Sequence, residues 1–213
     1  MGDDRLRPAS ERSTPASAPR LILGSTSPYR RELLQRLRLL FDCVAPQVDE
    51  TSLPGELPAD LAPRLALEKA HEVARRNPGA VVIGADQIAE LDGLAIGKPG
   101  NHARAVAQLQ AMSGRSVVFH SAVAVVRPDQ AYARVLTAPV TVRFRSLSQA
   151  EIEHYLRLEQ PYDCAGSAKC ETLGIALLAS IVSDDPTALV GLPLIRTCEL
   201  LRAAGIDPMA VQA

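Results

Sequence analysis

The sequence predicts an α/β fold on a mixed β-sheet, and three observations carry that prediction. Short apolar runs of strand type alternate with segments of helical apolar spacing over residues 21–87, in the order strand-helix-strand-helix-strand. Two longer strand-like runs, residues 116–126 and 133–144, are joined near Pro128-Asp129-Gln130, which suits an antiparallel hairpin rather than another crossover. The chain has 213 residues, 47% hydrophobic and 22% charged, enough for one sizeable core or two small lobes around a cleft.

Each element follows from local chemistry. Residues 1–20 are rich in Ser, Pro, Arg and Asp without apolar period, so they are expected to be a disordered extension, with residues 21–213 as a single domain. The apolar strand at 21–24 runs through Ser25, Thr26 and Ser27 into a helix carrying Leu33, Leu34, Leu37 and Leu40 at helical spacing. Residues 41–45 read as a second strand, and Gln47 opens a polar loop. A second helix covers about 58–76, with Leu61, Leu65, Ala66 and Ala70 inward and Asn77-Pro78-Gly79 ending it. The strand that begins at Val81 is expected to end on a carboxylate, Asp86, next to Gln87. Asn101 is placed to cap a third helix that reaches Met112. Ser148-Gln149-Ala150-Glu151 forms a capping box for a fourth helix that reaches Gln160. A Gly-bearing loop at 165–167, a short apolar strand at 174–178 and a last helix at 193–204, closed by Gly205, complete the chain.

Composition excludes several classes of function. A net charge of -1 removes the broad positive field of a duplex-binding protein, and 3% aromatic content without Trp argues against stacking platforms for single strands. A small anionic ligand fits better than nucleic acid. The cysteines Cys43, Cys164, Cys170 and Cys198 lack C-x-x-C spacing, so structural zinc is not expected and reduced thiols are. No apolar run reaches the ~18 residues that span a bilayer, and no secretory apolar core follows Met1. A cytoplasmic location without membrane attachment is therefore expected. An exposed apolar helix face would support a homodimer.

The chemistry-bearing residues cluster at predicted strand ends, where open α/β sheets bind ligands. Ser27 is placed to cap the first helix, Pro28 suits its first position, and the free N–H groups with Arg30 and Arg31 make an anion cradle. The same features also occur as plain structure. Asp86 supplies an acid and Lys98, fixed between Gly97 and Pro99, a cation. Glu50 beyond the second strand gives a second carboxylate, so that a divalent ion could be shared with a triphosphate, although a solvated loop acid reads the same way. Lys69 is a surface charge on spacing alone. His71, His102, His120 and His154 share no motif, and P-loop, G-x-S-x-G and H-E-x-x-H patterns are absent. What remains is metal-assisted attack of water on a phosphoanhydride.

Taken together, Ser25-Thr26-Ser27-Pro28-Tyr29-Arg30-Arg31, Val48-Asp49-Glu50-Thr51, Glu68-Lys69-Ala70, Gly84-Ala85-Asp86-Gln87 and Gly97-Lys98-Pro99 resemble the Maf family of nucleoside triphosphate pyrophosphatases. Cys164-Ala165-Gly166-Ser167 and Leu189-Val190-Gly191-Leu192-Pro193 extend the resemblance, which covers residues 21–205. It implies an elongated mixed sheet flanked by helices, two lobes around a nucleotide-binding cleft of the kind shared with ITPases, and cleavage between the α- and β-phosphates. It also implies a divalent cation, Mg²⁺ or Mn²⁺. By the same resemblance Asp86 is the proton acceptor. Ser25, Arg30, Glu50, Lys69 and Lys98 handle substrate phosphates and metal, Ser27 joining them as a substrate-binding residue from its place at the helix cap, with Glu50 and Asp86 as the metal carboxylates and Lys69 and Lys98 as catalytic cations. Asp86 is left open as base, metal ligand or both.

Three positions divide the family by substrate. The branch acting on dTTP and UTP usually has Arg, Thr and Gln where this chain has Tyr29, Gln87 and Glu171, so the chain resembles the branch that hydrolyses 7-methyl-GTP. A cationic 7-methylguanine ring can stack on Tyr29, while Glu171 accepts hydrogen bonds from the guanine edge. Ala168 departs from that branch, where a larger residue is expected. Other readings are a pyrophosphatase for dTTP, UTP or other non-canonical triphosphates, and a nucleotide-binding regulator of cell division.

Overall fold

The computed structural model describes residues 19–210; the expected disordered extension, residues 1–20, lies outside them except for its last two positions. The elements run β1 (Leu21–Gly24), α1 (Pro28–Gln35), β2 (Asp42–Cys43), α2 (Pro58–Arg76), β3 (Val81–Leu91), β4 (Leu94–Ile96), α3 (His102–Met112), β5 (Ser116–Arg127), β6 (Tyr132–Phe144), α4 (Gln149–Glu159), β7 (Leu178–Val182) and α5 (Leu194–Ala203). Seven strands form one mixed sheet in the order β2-β1-β3-β5-β6-β7, with β4 paired to β3. Only the β1–β2 and β1–β3 pairs are parallel; β5 and β6 form the expected antiparallel hairpin.

Alternation along β3 and β5 sorts side chains between two faces. On one face α2 packs Ala62, Ala66, Ala70 and Val73 against Ile22, Val82, Ala122 and Ala124. On the other face are two separate apolar clusters. Leu33 and Leu34 of α1 and Leu200 and Leu201 of α5 cover Leu23, Ile83, Ala85 and Val123. Leu109 of α3 and Ile152 and Leu156 of α4 cover Ala89, Val117, Phe119 and Val140. Between these clusters, at the register pair Gln87↔Ser121, the same face turns polar.

Several sequence expectations need correction. Asp86 does not end its strand. β3 continues to Leu91 because β5 pairs with it as far as Glu90↔Val118, whereas β1 stops at Gly24↔Gly84. Asp86 therefore lies in mid-strand, just past the end of its parallel neighbour. The first helix stops at Gln35, short of Leu40, as Arg38 takes φ 55° and Leu40 points to solvent. The second strand shrinks to two exposed residues. Residues 173–177 form a 3-10 turn instead of a strand, and the strand follows it as β7. Compact packing is required there, since a Cβ on Gly174 would stand 2.4 Å from the Lys169 carbonyl oxygen. β4 was not expected; Asp92 and Gly93, at φ 54° and 78°, make the tight turn that folds it back on β3. Among the described residues no helix is long and apolar enough to cross a membrane.

Candidate functional site

A cleft of about 540 Å³ opens beyond the end of β1 and gathers residues that lie far apart in sequence. Ser25, Ser27, Tyr29, Arg30, Glu50, Lys69, Asp86, Gln87, Lys98 and Glu171 all line it, whereas Arg31, expected in the anion cradle, is exposed and does not.

The start of α1 is built as an anion cradle. Ser27 caps the helix, its Oγ accepting from the Arg30 N–H at 3.3 Å, and Ser25 Oγ accepts from the Ser27 N–H at 3.2 Å. Pro28 has no N–H and the Arg30 N–H is taken by the cap, which leaves the N–H of Tyr29, a residue of the cleft, as the donor at this helix N-terminus to favour an anion. Arg30 folds back so that its Nε donates to the Gly191 carbonyl at 2.9 Å. Burial lowers the pKa of its guanidinium, and the nearby charges of Asp86 and Glu50 oppose that shift.

The central acid is set by backbone contact between α2 and β3. Gly84 has no Cβ because one would lie 2.2 Å from the Ala66 carbonyl oxygen and 2.6 Å from the Ala70 nitrogen. That close crossing brings Lys69, between these alanines in sequence, over Asp86, two residues along the same face of β3. Lys69 Nζ donates to Asp86 Oδ1 at 2.7 Å and pairs with Glu50 Oε1 at 2.7 Å. Lys69 is 4% exposed and Asp86 6%, so the pair is nearly dry. Burial raises the Glu50 carboxyl, but Lys69, Lys98 and Arg30 outweigh burial and hold it below its ordinary value. Among the described residues no group of three or more His, Cys, Asp or Glu side chains could hold a metal by itself. Glu50 and Asp86 converge on the Lys69 ammonium, and their other carboxylate oxygens are hard ligands of the kind that fit a Mg²⁺-type ion completed by phosphate oxygens and water.

The other end of the cleft is formed by Tyr29 and by residues 163–171. Burial raises the Tyr29 phenol pKa, partly opposed by Lys169, whose Nζ stands 5.9 Å from the ring centroid. Glu171 and Asp163 add two exposed carboxylates. Gln87 is engaged differently from a free base reader. Its Nε2 lies 2.7 Å from Ser121 Oγ and 2.9 and 3.0 Å from the Ala188 and Leu189 carbonyls, which leaves Oε1 as the end available to a ligand. Cys164 and Cys170 are pushed up to about 12, by burial first and then by Asp163 and Glu171 respectively, so both are neutral thiols and poor nucleophiles at pH 7.

One turn, residues 188–191, holds both ends. Its carbonyls bind Gln87 and Arg30, and Asp185, 1% exposed, ties it down. The Asp185 carboxylate accepts from the Thr187 N–H at 3.0 Å, the Thr187 hydroxyl at 2.7 Å and the Ile195 N–H of α5 at 2.7 Å. Asp185, Ser121 and Lys169 were not singled out in the sequence.

A family model described as Maf-like protein matches residues 20–204. The chain belongs to the Maf family. A Polaromonas protein named 7-methyl-GTP pyrophosphatase is 66% identical over 193 residues, covering 91% of this chain and 88% of that protein. One of the same name from Albidiferax ferrireducens is 66% identical over 187 residues, 88% of this chain and 94% of its own. One from Bordetella pertussis, again so named, is 56% identical over 195 residues, 92% of this chain and 97% of its own. The Maf match takes in the whole cleft, from Gly24 to Gly191.

Proposed function

We propose that this protein is a nucleoside triphosphate pyrophosphatase that hydrolyses 7-methyl-GTP to 7-methyl-GMP and diphosphate, clearing a modified nucleotide. The observation that carries the proposal is the division of charge within one cleft. Around the start of α1, Arg30, Lys69 and Lys98 outnumber Glu50 and Asp86, whereas the loop at the other end contributes Asp163 and Glu171 beside an aromatic ring. A polyphosphate with a cationic base matches both ends at once. Asp163 is already paired with Lys169 at 3.7 Å, so it is Glu171 that a cationic base answers and a neutral base does not. The names of the relatives point to the same substrate.

In the mechanism the phosphates lie at the α1 N-terminus, with Arg30 and Lys98 offsetting their charge. Asp86 spends Oδ1 on Lys69, and its other oxygen takes a proton from the attacking water. Water oxygen bonds to the α-phosphorus, the bridging bond to the β-phosphate breaks, and diphosphate leaves. Lys69 keeps Asp86 aimed through its contact with Oδ1. A divalent cation, held by Glu50 and Asp86, supplies further charge neutralisation at the phosphates when bound. The 7-methylguanine ring stacks on Tyr29, and Glu171 and Gln87 Oε1 accept from its donor edge.

The test is turnover of 7-methyl-GTP, GTP, dTTP, UTP and ITP with Mg²⁺ or Mn²⁺, with diphosphate assayed separately from orthophosphate. Preferred conversion of 7-methyl-GTP to the monophosphate and diphosphate supports the proposal. Preference for dTTP or UTP overturns the substrate assignment, and tight binding without turnover overturns the enzyme.

A further inference from the structure

We propose that Lys169 is a positioning residue for base recognition, holding the Tyr29 ring in the orientation that meets the nucleobase; the proposal rests on the 7-methyl-GTP reading above. Lys169 has no part in the phosphate chemistry, yet it is fixed from several directions. Its N–H donates to the hydroxyl of buried Tyr155 at 2.9 Å, and its carbonyl accepts from the Thr172 N–H at 3.2 Å. Gly174 closes on the same peptide so tightly that any Cβ would stand within 2.6 Å of the Lys169 nitrogen.

The side chain is equally constrained. It is 16% exposed, with Nζ over the Tyr29 ring at 5.9 Å and 3.7 Å from Asp163 Oδ1. Desolvation lowers its pKa, but Tyr29, Asp163 and Cys164 together raise it above the ordinary value, so the ammonium stays charged. Tyr29 and Asp163 line the cleft and Lys169 does not. The cation therefore works from behind. It stands over one ring surface and leaves the rest of the ring to a ligand, linking α1, which carries the anion cradle, to the loop that carries Glu171. A ring already held in place loses less freedom when a base stacks on it, and this preorganisation appears as affinity.

The test is a double-mutant cycle read in steady-state kinetics, with Lys169→Met and Tyr29→Leu alone and combined. Losing a part-buried cation–π contact is expected to raise KM for 7-methyl-GTP about five- to tenfold, with kcat falling less than about twofold. In the Tyr29→Leu background the same Lys169→Met change should have no further effect on KM. Lys169→Arg, which can stack on Tyr29 and pair with Asp163, should keep KM within about twofold of the parent. A KM rise of equal size in both backgrounds, a loss confined to kcat, or equal loss in the Arg and Met variants overturns the proposal. The cycle is read on whichever triphosphate the parent turns over best. Preference for another nucleotide then refutes the substrate reading, while coupling between positions 29 and 169 still decides the role of Lys169.

Discussion

Gly84→Ala tests whether the close crossing of α2 over β3 sets the catalytic pair. The added Cβ would lie 2.2 Å from the Ala66 carbonyl oxygen, 2.6 Å from the Ala70 nitrogen and 2.9 Å from the Ala70 Cβ. The two nearest atoms are backbone, so no side chain can turn aside and the helix must retreat from the sheet. Relieving the contact takes a retreat of roughly 1 Å, because a packed interior holds no slack. Lys69 moves with the helix, and its 2.7 Å bond to Asp86 stretches beyond useful hydrogen-bond length. Overpacking against backbone should cost about 3 kcal/mol of stability. A displacement of about 1 Å at the reacting groups should cost about 100-fold in turnover. Urea unfolding followed by far-UV circular dichroism reads the first effect, since the chain has no Trp to report by fluorescence. Hydrolysis of saturating 7-methyl-GTP reads the second. Gly97→Ala, whose Cβ meets nothing within 4 Å, is the stability control and should unfold within about 0.5 kcal/mol of the parent. Parent-like unfolding and full turnover in Gly84→Ala would refute the argument that this contact positions Lys69.

Two further outcomes follow from the same geometry. Asp86→Asn keeps the shape of the side chain but removes the proton acceptor, so kcat should fall by about 10²–10⁴-fold while the far-UV spectrum is kept; retained turnover removes Asp86 from that role. Glu56, bonded by Arg64 and by the Leu53 N–H, is held at about 2, below its ordinary 4.5. Folding depresses this pKa, so its contribution is complete above pH 4.5 and is lost as pH falls towards 2. Glu56→Gln should therefore melt below the parent at pH 7, with the gap closing near pH 2. A gap of constant size across that range contradicts the assignment.

Elements specified by local chemistry were legible in the sequence. α3 begins after Asn101 and α4 after a capping box at Ser148 with Glu151, as their side chains require. Elements specified by distant partners were not. Polar Gln87 and Glu90 interrupt the apolar run of β3, and pairing with β5, joined at Glu90 by β4, keeps those residues extended. β4 did carry a local signature, Asp92-Gly93, which suits a two-residue hairpin turn. Lys69 carried one as well. It follows Leu65 by four residues and Ala66 by three, which puts it on the buried stripe of α2, where an ammonium needs a partner. Gln87 could not have been read in full, because its amide partners lie about 34 and 101 residues away. Lys169 has no sequence signature, as its surroundings come from α1, α4 and Gly174 together.

The turn at residues 188–191 places a limit on how this cleft can change. Its carbonyls hold Gln87 on one side and Arg30 on the other, and a single buried carboxylate, Asp185, anchors it. Selectivity and grip thus share one hinge pin. Of Tyr29, Gln87 and Glu171, only Gln87 bonds this turn, so exchanging it frees two carbonyls beside the one that holds Arg30. A change at position 87 is therefore felt at Arg30 through one short stretch of backbone.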